Sequence, residues 1–563
     1  MSKDTSHQPT ELDQYTAYAL KHGISRRTFL TRAAVAGGAV AATGLTAGGA
    51  SANAEAEPTA CPQKFGHSSD GEASLHFLPK PQPISDQQIA STKTFDVVVV
   101  GAGAAGVPAA LSAVENGASV ACLQKQAIVV SQGNTGSGVD FENSDKAAVE
   151  ALVSKILRQN AHRPNPALIR KWAYNSGEAL KWLIDRSKKG NAQIVDLGTK
   201  RQFPSFGLTP YKLNFVTTFY GPKPYTTGDG MRDLAKVAEK EGVKFFFNMP
   251  AKQLIQDDSG RVIGVIAQAR DGKYHKYMAK KGVILAAGDY QNNREMCDYF
   301  VPDAKNFIRK QMDRTGDGYA MAYWAGGVIE PIGHTKILHD FDAGPASMCD
   351  MPFLSVNRKG ERFVDETNEM CVMGNYLRDA QNAGHYSQIF DADYMTAAAK
   401  WPGHLVPPEG LKNYMPDDPS EKKGVFPSLT NTHVANSLEE LAVKLECDPK
   451  TFVASVNRYN ELCKKGRDDD FGKPAEKLLP IVKPPFYGIH REIRLTGVCS
   501  GMVVDSNSQA LDADGKPIGG LFVIGNMAGG FYGGADYPMT VLGLSLGRCY
   551  TFGYLTGRHV AKL

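Results

Sequence analysis

The chain has 563 residues, of which 42% are hydrophobic, 22% are charged and 9% are aromatic. These proportions exclude a disordered chain, a collagen-like repeat and a small disulfide scaffold. The length is sufficient for several domains, and two is the number that we expect if the fold is a large α/β one.

Charge and cysteine content narrow the class of partner. The formal net charge is only +4, and the chain has no Lys- and Arg-rich run with interleaved aromatic residues. A nucleic-acid partner is therefore not expected, and a small molecule is favoured. The nine cysteines are odd in number and never spaced as a metal or haem-attachment motif, so we predict no metal site.

The N-terminus has the pattern of an export signal. Residues 25–30 read Ser-Arg-Arg-Thr-Phe-Leu, an Ala- and Gly-rich stretch covers residues 33–50, and Ala52-Asn53-Ala54 fits a small-x-small cleavage site. Residues 1–54 resemble a twin-arginine signal, which implies the Tat translocase as a partner and a location in the periplasm or on the outer face of the cytoplasmic membrane. A retained anchor is the alternative, although the stretch lacks large apolar residues. Residues 55–94, rich in Pro, Ser and Gln, are predicted to be a linker.

A βαβ unit begins the next part of the chain. Phe95–Val100 is a continuous apolar run typical of a buried parallel strand, residues 107–116 have helical spacing, and residues 119–123 form a second apolar run. Between the first strand and the helix lies Gly101-Ala102-Gly103-Ala104-Ala105-Gly106. Its glycines permit a tight turn, close approach of a pyrophosphate and close helix–strand packing, so the unit predicts a dinucleotide site.

The later elements continue this α/β pattern around an irregular insertion. We predict a helix at 228–241, strands at 243–247 and 281–287, a hairpin at 251–269, helices after Asn436-Ser437 and at 448–465, a strand at 520–525 and a helix at 542–560. We therefore predict a nucleotide-binding domain formed by residues 95–332 and 487–563, interrupted by an inserted domain at 333–486.

Ordered motifs along this region resemble one flavoprotein family. Besides the glycine loop, they are Gly133-Asn134-Thr135 with Ser137-Gly138, Gly228-Asp229-Gly230, Leu285-Ala286-Ala287-Gly288, Thr315-Gly316-Asp317-Gly318, residues 357–363 and residues 520–525. The chain resembles the family of soluble fumarate reductases, urocanate reductases and 3-ketosteroid dehydrogenases. The resemblance implies an α/β fold, with a Rossmann-like FAD-binding domain, an inserted α+β capping domain and non-covalently bound FAD.

The glycine loop and the resemblance together assign a set of residues to FAD. They are Gly101, Ala102, Gly103, Ala105, Gly106, Gln124, Lys125, Gly133, Asn134, Thr135, Ser137, Gly138, Ala287, Gly288, Asp317, Gly525, Asn526, Leu544 and Ser545. Two of them depart from the family. Gln124 stands where an acidic residue usually binds the ribose hydroxyls, which its amide can still do. Asn526 stands where the family often has Glu.

The resemblance fails where fumarate reductases bind and protonate their substrate. Met370, four residues after Glu366, replaces the expected arginine, and Met351-Pro352 stands near the place of an Arg-Gly element. Residues 497–501 replace the usual His-Thr-Met-Gly-Gly segment. Fumarate itself is therefore not the predicted substrate.

Tyr537-Pro538 resembles the pair of the ketosteroid dehydrogenases, in which the tyrosine hydrogen-bonds the substrate carbonyl. A phenol is neutral at pH 7 and donates to a developing enolate, so we predict Tyr537 as the electrophile with Tyr532 behind it. His334, Cys371 and Arg494 complete the candidate catalytic residues, as a substrate-binding histidine, a proton donor and a carboxylate partner. Each of the five has an alternative interpretation as a structural or cofactor-contacting residue.

These features predict an exported FAD enzyme that reduces a carbon–carbon double bond conjugated to a carbonyl, in an enoate or an enone. Because the chain has no haem-attachment motif, electrons are expected from a separate donor, a membrane-linked cytochrome or flavoprotein of anaerobic respiration. A ketosteroid-type dehydrogenase that oxidises its substrate is the alternative enzyme. A non-catalytic exported flavin- or ligand-binding protein is the alternative from another class.

Overall fold

The computed structural model describes residues 75–196, 199–203, 211–221, 228–330, 333–339, 343–401, 404–422, 425, 429–534, 536–541 and 543–563. The predicted export signal and the first part of the predicted linker lie outside these ranges. Within them, no helix combines the length and the apolar character needed to cross a membrane.

The strands and helices are numbered here in chain order. The strands are β1 (Ile89–Val100), β2 (Val120–Gln124), β3 (Thr135–Val139), β4 (Gln193–Asp196), β5 (Thr199–Phe203), β6 (Tyr211–Gly221), β7 (Lys244–Phe247), β8 (Ala251–Gln256), β9 (Val262–Gln268), β10 (Tyr274–Leu285), β11 (Lys336–His339), β12 (Leu354–Val356), β13 (His385–Phe390), β14 (Thr432–Ala435), β15 (Phe486–Glu492), β16 (Arg494–Val498), β17 (Gln509–Leu511) and β18 (Pro517–Val523). The α-helices are α1 (Gly106–Glu115), α2 (Lys146–Gln159), α3 (Pro166–Ser187), α4 (Asp229–Lys240), α5 (Arg294–Phe300), α6 (Asp317–Trp324), α7 (Met370–Asn375), α8 (Tyr394–Ala397), α9 (Pro408–Leu411), α10 (Leu438–Lys444), α11 (Pro449–Lys465) and α12 (Leu544–Ala561).

A mixed sheet forms the centre of the nucleotide-binding part. Its order is β17-β18-β10-β1-β2-β7, and the pairs from β18 to β7 are parallel, while the β8-β9 hairpin adds antiparallel strands to β10. Residues 97–100 are buried between β2 and β10, which explains the continuous apolar run. This arrangement confirms the predicted α/β class.

Helix α12 packs closely along α1, next to the central sheet. A Cβ atom on Gly553 would lie 2.5 Å from the Ala105 carbonyl oxygen, and one on Gly557 would lie 2.2 Å from the Ala109 carbonyl oxygen. Only glycine permits this approach of the two helices. It holds the N-terminus of α12 on the same side of the molecule as the glycine loop.

The inserted part has its own sheet and core. Strands β12-β13-β15-β14 pair antiparallel, and α10 and α11 cover them with a separate cluster of buried apolar residues. The predicted helices at its end are confirmed, since Ser437 Oγ and the Asp448 carboxylate accept the N–H groups of Glu440 and Thr451 as N-caps.

Some predicted boundaries differ from the structure. Strand β1 begins at Ile89 rather than Phe95, because its first half is largely exposed and carries polar residues that give no apolar run. Strand β15 completes the sheet of the inserted part, so strand pairing extends that part to Glu492 rather than residue 486. The ribbon β11-β16 joins the chain entering the insertion to the chain leaving it.

Candidate functional site

The glycine loop connects β1 to α1 in a conformation that only glycine supports. Gly101 has φ of +105°, and a Cβ there would lie 2.3 Å from the Ala286 carbonyl oxygen. A Cβ on Gly106 would lie 1.8 Å from the Gly101 carbonyl oxygen. The loop, with Gly103 and Ala102, therefore forms a backbone-lined cavity at the N-terminus of α1, where a pyrophosphate fits.

The two side chains at the predicted ribose end of this cavity, Gln124 and Lys125, form hydrogen bonds within the protein. Gln124 Oε1 accepts the Ala102 N–H at 3.2 Å, and Gln124 Nε2 donates to the Ile128 carbonyl at 3.0 Å. Lys125 Nζ donates to Asp317 Oδ2 at 3.0 Å. Gln124 thus holds the glycine loop, and its contact with a ribose stays a prediction.

Arg314 is a cavity residue that the sequence analysis missed. It lines the same cavity as Gly101, Gly103 and Asp317. Burial lowers the pKa of Arg314, and the neighbouring Asp289 carboxylate opposes that change. A guanidinium in a glycine-lined cavity is suited to binding a diphosphate. In the sequence, the position of Arg314 immediately before the Thr315–Gly318 motif indicates that it could lie near the cofactor.

The predicted FAD residues of segment 133–138, with Leu544 and Ser545, come together where β3 meets α12. Ser137 N–H donates to the Gly543 carbonyl at 3.2 Å, and a Cβ on Gly547 would lie 1.8 Å from the Ser137 carbonyl oxygen. Asn134 Oδ1 accepts the Gly230 N–H at 3.3 Å. The segment 133–138 therefore lies against the start of α12, next to Leu544 and Ser545.

Asn526 connects several of these segments. Its Oδ1 accepts Cys499 Sγ at 3.2 Å and Arg548 Nη2 at 3.4 Å. Its Nδ2 donates to Gln132 Oε1 at 3.4 Å and to Asp289 Oδ2 at 3.5 Å. An uncharged amide suits this position, because it must both accept and donate, which a carboxylate cannot do.

The Tyr537 hydroxyl lies at the N-terminus of α12. Its oxygen accepts the Ser545 N–H at 3.0 Å, and the ring is buried. Burial raises the pKa of Tyr537, so the phenol stays protonated at neutral pH. In the described part of the chain, no group accepts the Tyr537 proton, which leaves it available for a ligand.

Tyr532 packs on Tyr537 and lies under Arg548. The Tyr532 and Tyr537 ring centroids are 5.4 Å apart, and the Arg548 guanidinium carbon lies 5.0 Å from the Tyr532 centroid. The Tyr532 hydroxyl is fully buried and has no described partner. Arg548 Nη2 donates to the Gly525 carbonyl at 2.8 Å, whereas its buried Nε has no described partner.

Cys371 comes near Tyr537 from the inserted part. Glu369 Oε2 accepts the Met539 N–H at 3.0 Å and lies 3.9 Å from Cys371 Sγ. Burial and the Glu369 carboxylate raise the pKa of Cys371 to about 12, so its thiol stays protonated. Cys371 also lies close enough to Tyr537 to add to the effect of burial in raising the pKa of its phenol, so the structure brings Cys371, Tyr532 and Tyr537 to one place.

His334 does not join this cluster as a free base. Tyr290 Oη lies 2.6 Å from its Nδ1, its Nε2 lies 3.0 Å from the Glu330 carbonyl oxygen, and Phe300 stacks on its ring. Burial lowers the pKa of His334 to about 4. Both ring nitrogens therefore have partners within the protein, and the substrate-binding role of His334 stays a prediction.

Arg494 also lies apart from Tyr537. It pairs with His339 at one end of the β11-β16 ribbon, whereas Tyr537 N–H donates to the Lys336 carbonyl at the other end. Three residues of extended strand separate these ends by about 10 Å. Arg494 Nε donates to Glu492 Oε2 at 2.6 Å, an ion pair at the end of the insertion, and its role in binding a substrate carboxylate stays a prediction.

Comparisons with known proteins agree with this site. Residues 96–537 match the FAD_binding_2 family, described as an FAD binding domain. The chain is 27% identical over 507 residues to a vinyl phenol reductase of Lactiplantibacillus plantarum, covering 84% of this chain and 98% of that protein. It is 26% identical over 608 residues to a digoxin reductase of Eggerthella lenta, covering 97% and 98% respectively. The structure of a flavocytochrome c3 fumarate reductase in an open conformation superposes with a TM-score of 0.64 at 22% identity, covering 88% of this chain and 83% of that chain.

The glycine cradle, Arg314 and the family match define an FAD-dependent oxidoreductase. The chain belongs to the FAD_binding_2 family, and FAD is its cofactor. The individual FAD contacts predicted from the sequence stay predictions.

Proposed function

We propose that this protein reduces a carbon–carbon double bond conjugated to a carbonyl, in an enoate or an enone, and that Tyr537 donates a hydrogen bond to the carbonyl oxygen. The observation that carries the proposal is the Tyr537 oxygen bonded to the Ser545 N–H, with its own proton unused. When bound, FAD supplies the redox chemistry, exchanging an electron pair as hydride.

The N-terminus of α12 makes this phenol a better donor. The Ser545 N–H and the positive end of the helix dipole stabilise negative charge on the Tyr537 oxygen, so the O–H bond is polarised toward an acceptor. Negative charge that develops on a substrate carbonyl oxygen strengthens the bond from Tyr537, which lowers the barrier. The apolar ring packs against the substrate without an unsatisfied polar group.

Tyr532 and Cys371 are proposed to assist. The buried Tyr532 hydroxyl, without a described partner, is a second donor behind Tyr537. Cys371 holds a proton on the side of the insertion, and a substrate carbanion is basic enough to take it from a thiol with a pKa of about 12.

Export by the twin-arginine route and reduction by a separate membrane-linked cytochrome or flavoprotein are part of this proposal. They are motivated by the Arg26-Arg27 pair with its cleavage pattern, and by the lack of a haem-attachment motif in the sequence. The proposed setting is anaerobic respiration at the outer face of the cytoplasmic membrane.

The test is anaerobic reoxidation of dithionite-reduced protein by a panel of enoates, enones and steroids, followed by the absorbance of the bound flavin. Rapid reoxidation by at least one conjugated compound is expected. Failure of the whole panel, combined with reduction of the oxidised protein by saturated ketones, would instead establish the oxidising direction of a ketosteroid-type dehydrogenase, which the Tyr537-Pro538 pair also fits.

A further inference from the structure

A cavity of about 350 Å³ lies beside the segment that carries Tyr537. Its lining includes four methionines, of which Met351, Met370 and Met373 come from the insertion and Met539 comes two residues after Tyr537. The Glu369 carboxylate joins the two sides through the Met539 N–H. The cavity is therefore placed to hold the part of a substrate that extends away from Tyr537.

The charges on this lining are all negative. Three carboxylates line it, and no Lys, Arg or His is among its described lining residues. Glu366 is neutralised by ion pairs with Arg362 and Lys473, at 2.9 and 3.0 Å. Glu369 and Asp350 form no ion pair with any residue that the structure describes.

Arg491 does not supply the missing positive charge. Burial raises the pKa of Asp350, and the Arg491 charge opposes this only through space. The Arg491 guanidinium itself donates to the Ala343 and Pro345 carbonyls and to Gln388 Oε1. A substrate carboxylate in this cavity would therefore meet two carboxylates without an ion pair and no positively charged side chain among the described lining residues. An uncharged group would meet polarisable methionine side chains that adapt to flat apolar surfaces.

We infer that this cavity takes a conjugated substrate that carries no carboxylate, an enone or an unsaturated amide or ester, and that Glu369 and Asp350 exclude the corresponding acids. The inference rests on the proposed function and narrows its substrate class. Met370, at the position where the fumarate reductases are expected to have an arginine, is a specificity-determining residue in this view.

Binding of matched compounds tests the inference without turnover. Isothermal titration of the oxidised, FAD-loaded protein with cinnamamide and with cinnamate at pH 7 compares ligands that differ in charge and little in shape. We expect the amide to bind at least ten-fold more tightly. Equal or tighter binding of the acid would overturn the inference, and so would binding of neither compound at millimolar concentration.

Charge-removing variants test the cause. In Glu369→Gln, whose amide oxygen still accepts the Met539 N–H, and in Asp350→Asn, cinnamate affinity should rise several-fold while cinnamamide affinity changes less than two-fold. Glu439→Gln, an exposed carboxylate on α10, is the matched control and should change neither. An unchanged ratio of cinnamate to cinnamamide affinity in both cavity variants would overturn the assignment. If a variant fails to fold, the comparison of the two ligands on the wild-type protein still decides the inference.

The two proposals fail differently. If acids bind and reoxidise the reduced protein as well as amides do, only the charge inference falls. If no conjugated compound reoxidises the reduced protein, the proposed reductase function falls, whatever the binding data show.

Discussion

The Ser545 amide determines what the Tyr537 hydroxyl can do. A buried phenol normally donates its proton to a protein acceptor, but here the oxygen accepts a helix amide at 3.0 Å and the proton is left for a ligand. One backbone group thereby converts an ordinary core tyrosine into a candidate electrophile.

Removing that hydroxyl should affect chemistry more than folding. Tyr537→Phe is expected to lower turnover of a conjugated substrate by about 10²- to 10³-fold, the loss typical of one donor to a developing oxyanion. FAD content should not change. Tyr554→Phe, which removes a hydroxyl on α12 that is bonded to Glu178 of α3, is the control. Steady-state kinetics that show full activity for Tyr537→Phe would remove this residue from the site.

The glycine loop should tolerate no side chain at Gly103. A Cβ there would already lie 3.0 Å from the Val130 carbonyl oxygen, and a valine would fill the space that the pyrophosphate needs. Gly103→Val should therefore yield folded protein without the flavin absorbance near 450 nm. Gly272→Ala, in an exposed turn where a Cβ meets nothing within 4 Å, should keep its FAD, because the φ of +85° strains the alanine by only about 1–2 kcal/mol and far from the loop. A fully flavinated Gly103→Val protein would refute the loop assignment.

For single residues, the sequence predicted the backbone conformation of motifs better than the hydrogen-bond partners of individual side chains. Gly101 to Gly106 form the expected turn because backbone sterics alone dictate it. His334 was predicted to bind substrate, because nothing in its neighbourhood along the chain reveals that Tyr290 and Glu330 occupy its nitrogens. Arg314 was missed because its cavity is assembled from distant segments, and its place before the Thr315–Gly318 motif was the one local signal.

Among the elements, the insertion is stabilised by a buried ion network. Arg362 pairs with Glu366 at 2.9 Å and with Asp468 at 2.8 Å, and Lys473 Nζ bonds Glu366 at 3.0 Å. All four side chains are almost fully buried. The network ties the loop after α11 to the turn before α7, and the loss of one member leaves another charge buried without compensation.

Asp468→Asn should therefore destabilise the insertion by about 3 kcal/mol at pH 7. Burial alone would raise the pKa of Asp468, but the hydrogen bonds from Arg362 and nearby backbone N–H groups outweigh it and lower this pKa to about 2. The stabilisation is thus complete above about pH 4, the ordinary pKa of Asp, and is lost as pH falls toward 2.

Thermal unfolding of wild type and Asp468→Asn from pH 7 down to pH 3 checks this behaviour. The difference in unfolding temperature should be several degrees at pH 7 and should shrink below pH 4. Asp470→Asn removes a partly exposed partner of Arg458 and should cost less than about 1 kcal/mol. A pH-independent difference for Asp468→Asn would show that its charge is not the cause.

Helices that begin at a recognisable N-cap were predicted correctly from the sequence. Strands whose place depends on pairing with distant strands were not. The helices α10 and α11 follow N-caps that are visible in the sequence. Strand β15 was divided by the predicted boundary, because its place beside β13 and β14 depends on contacts about 50 to 100 residues away in sequence. The irregular composition of the insertion concealed a regular antiparallel sheet.

For the whole molecule, cellular location is the main untested prediction. Arg26-Arg27→Lys-Lys keeps the charge but removes the twin-arginine pattern, so the protein should remain in the cytoplasm with its FAD bound. Cell fractionation and immunoblotting measure this directly. Arg32→Lys, a single change of the same kind outside the pair, should be exported normally. Continued export of the double variant would contradict the signal assignment.

The β11-β16 ribbon bears on how such proteins change their substrates over evolution. The chain leaves for the insertion at His339 and returns at Arg494, and these two residues are paired neighbours. A segment whose two ends are adjacent can be replaced by the corresponding segment of a homologue without changing the glycine loop that binds the cofactor. Swapping residues 340–493 for the equivalent segment of a homologue would then transfer substrate preference while the recipient's redox centre is preserved.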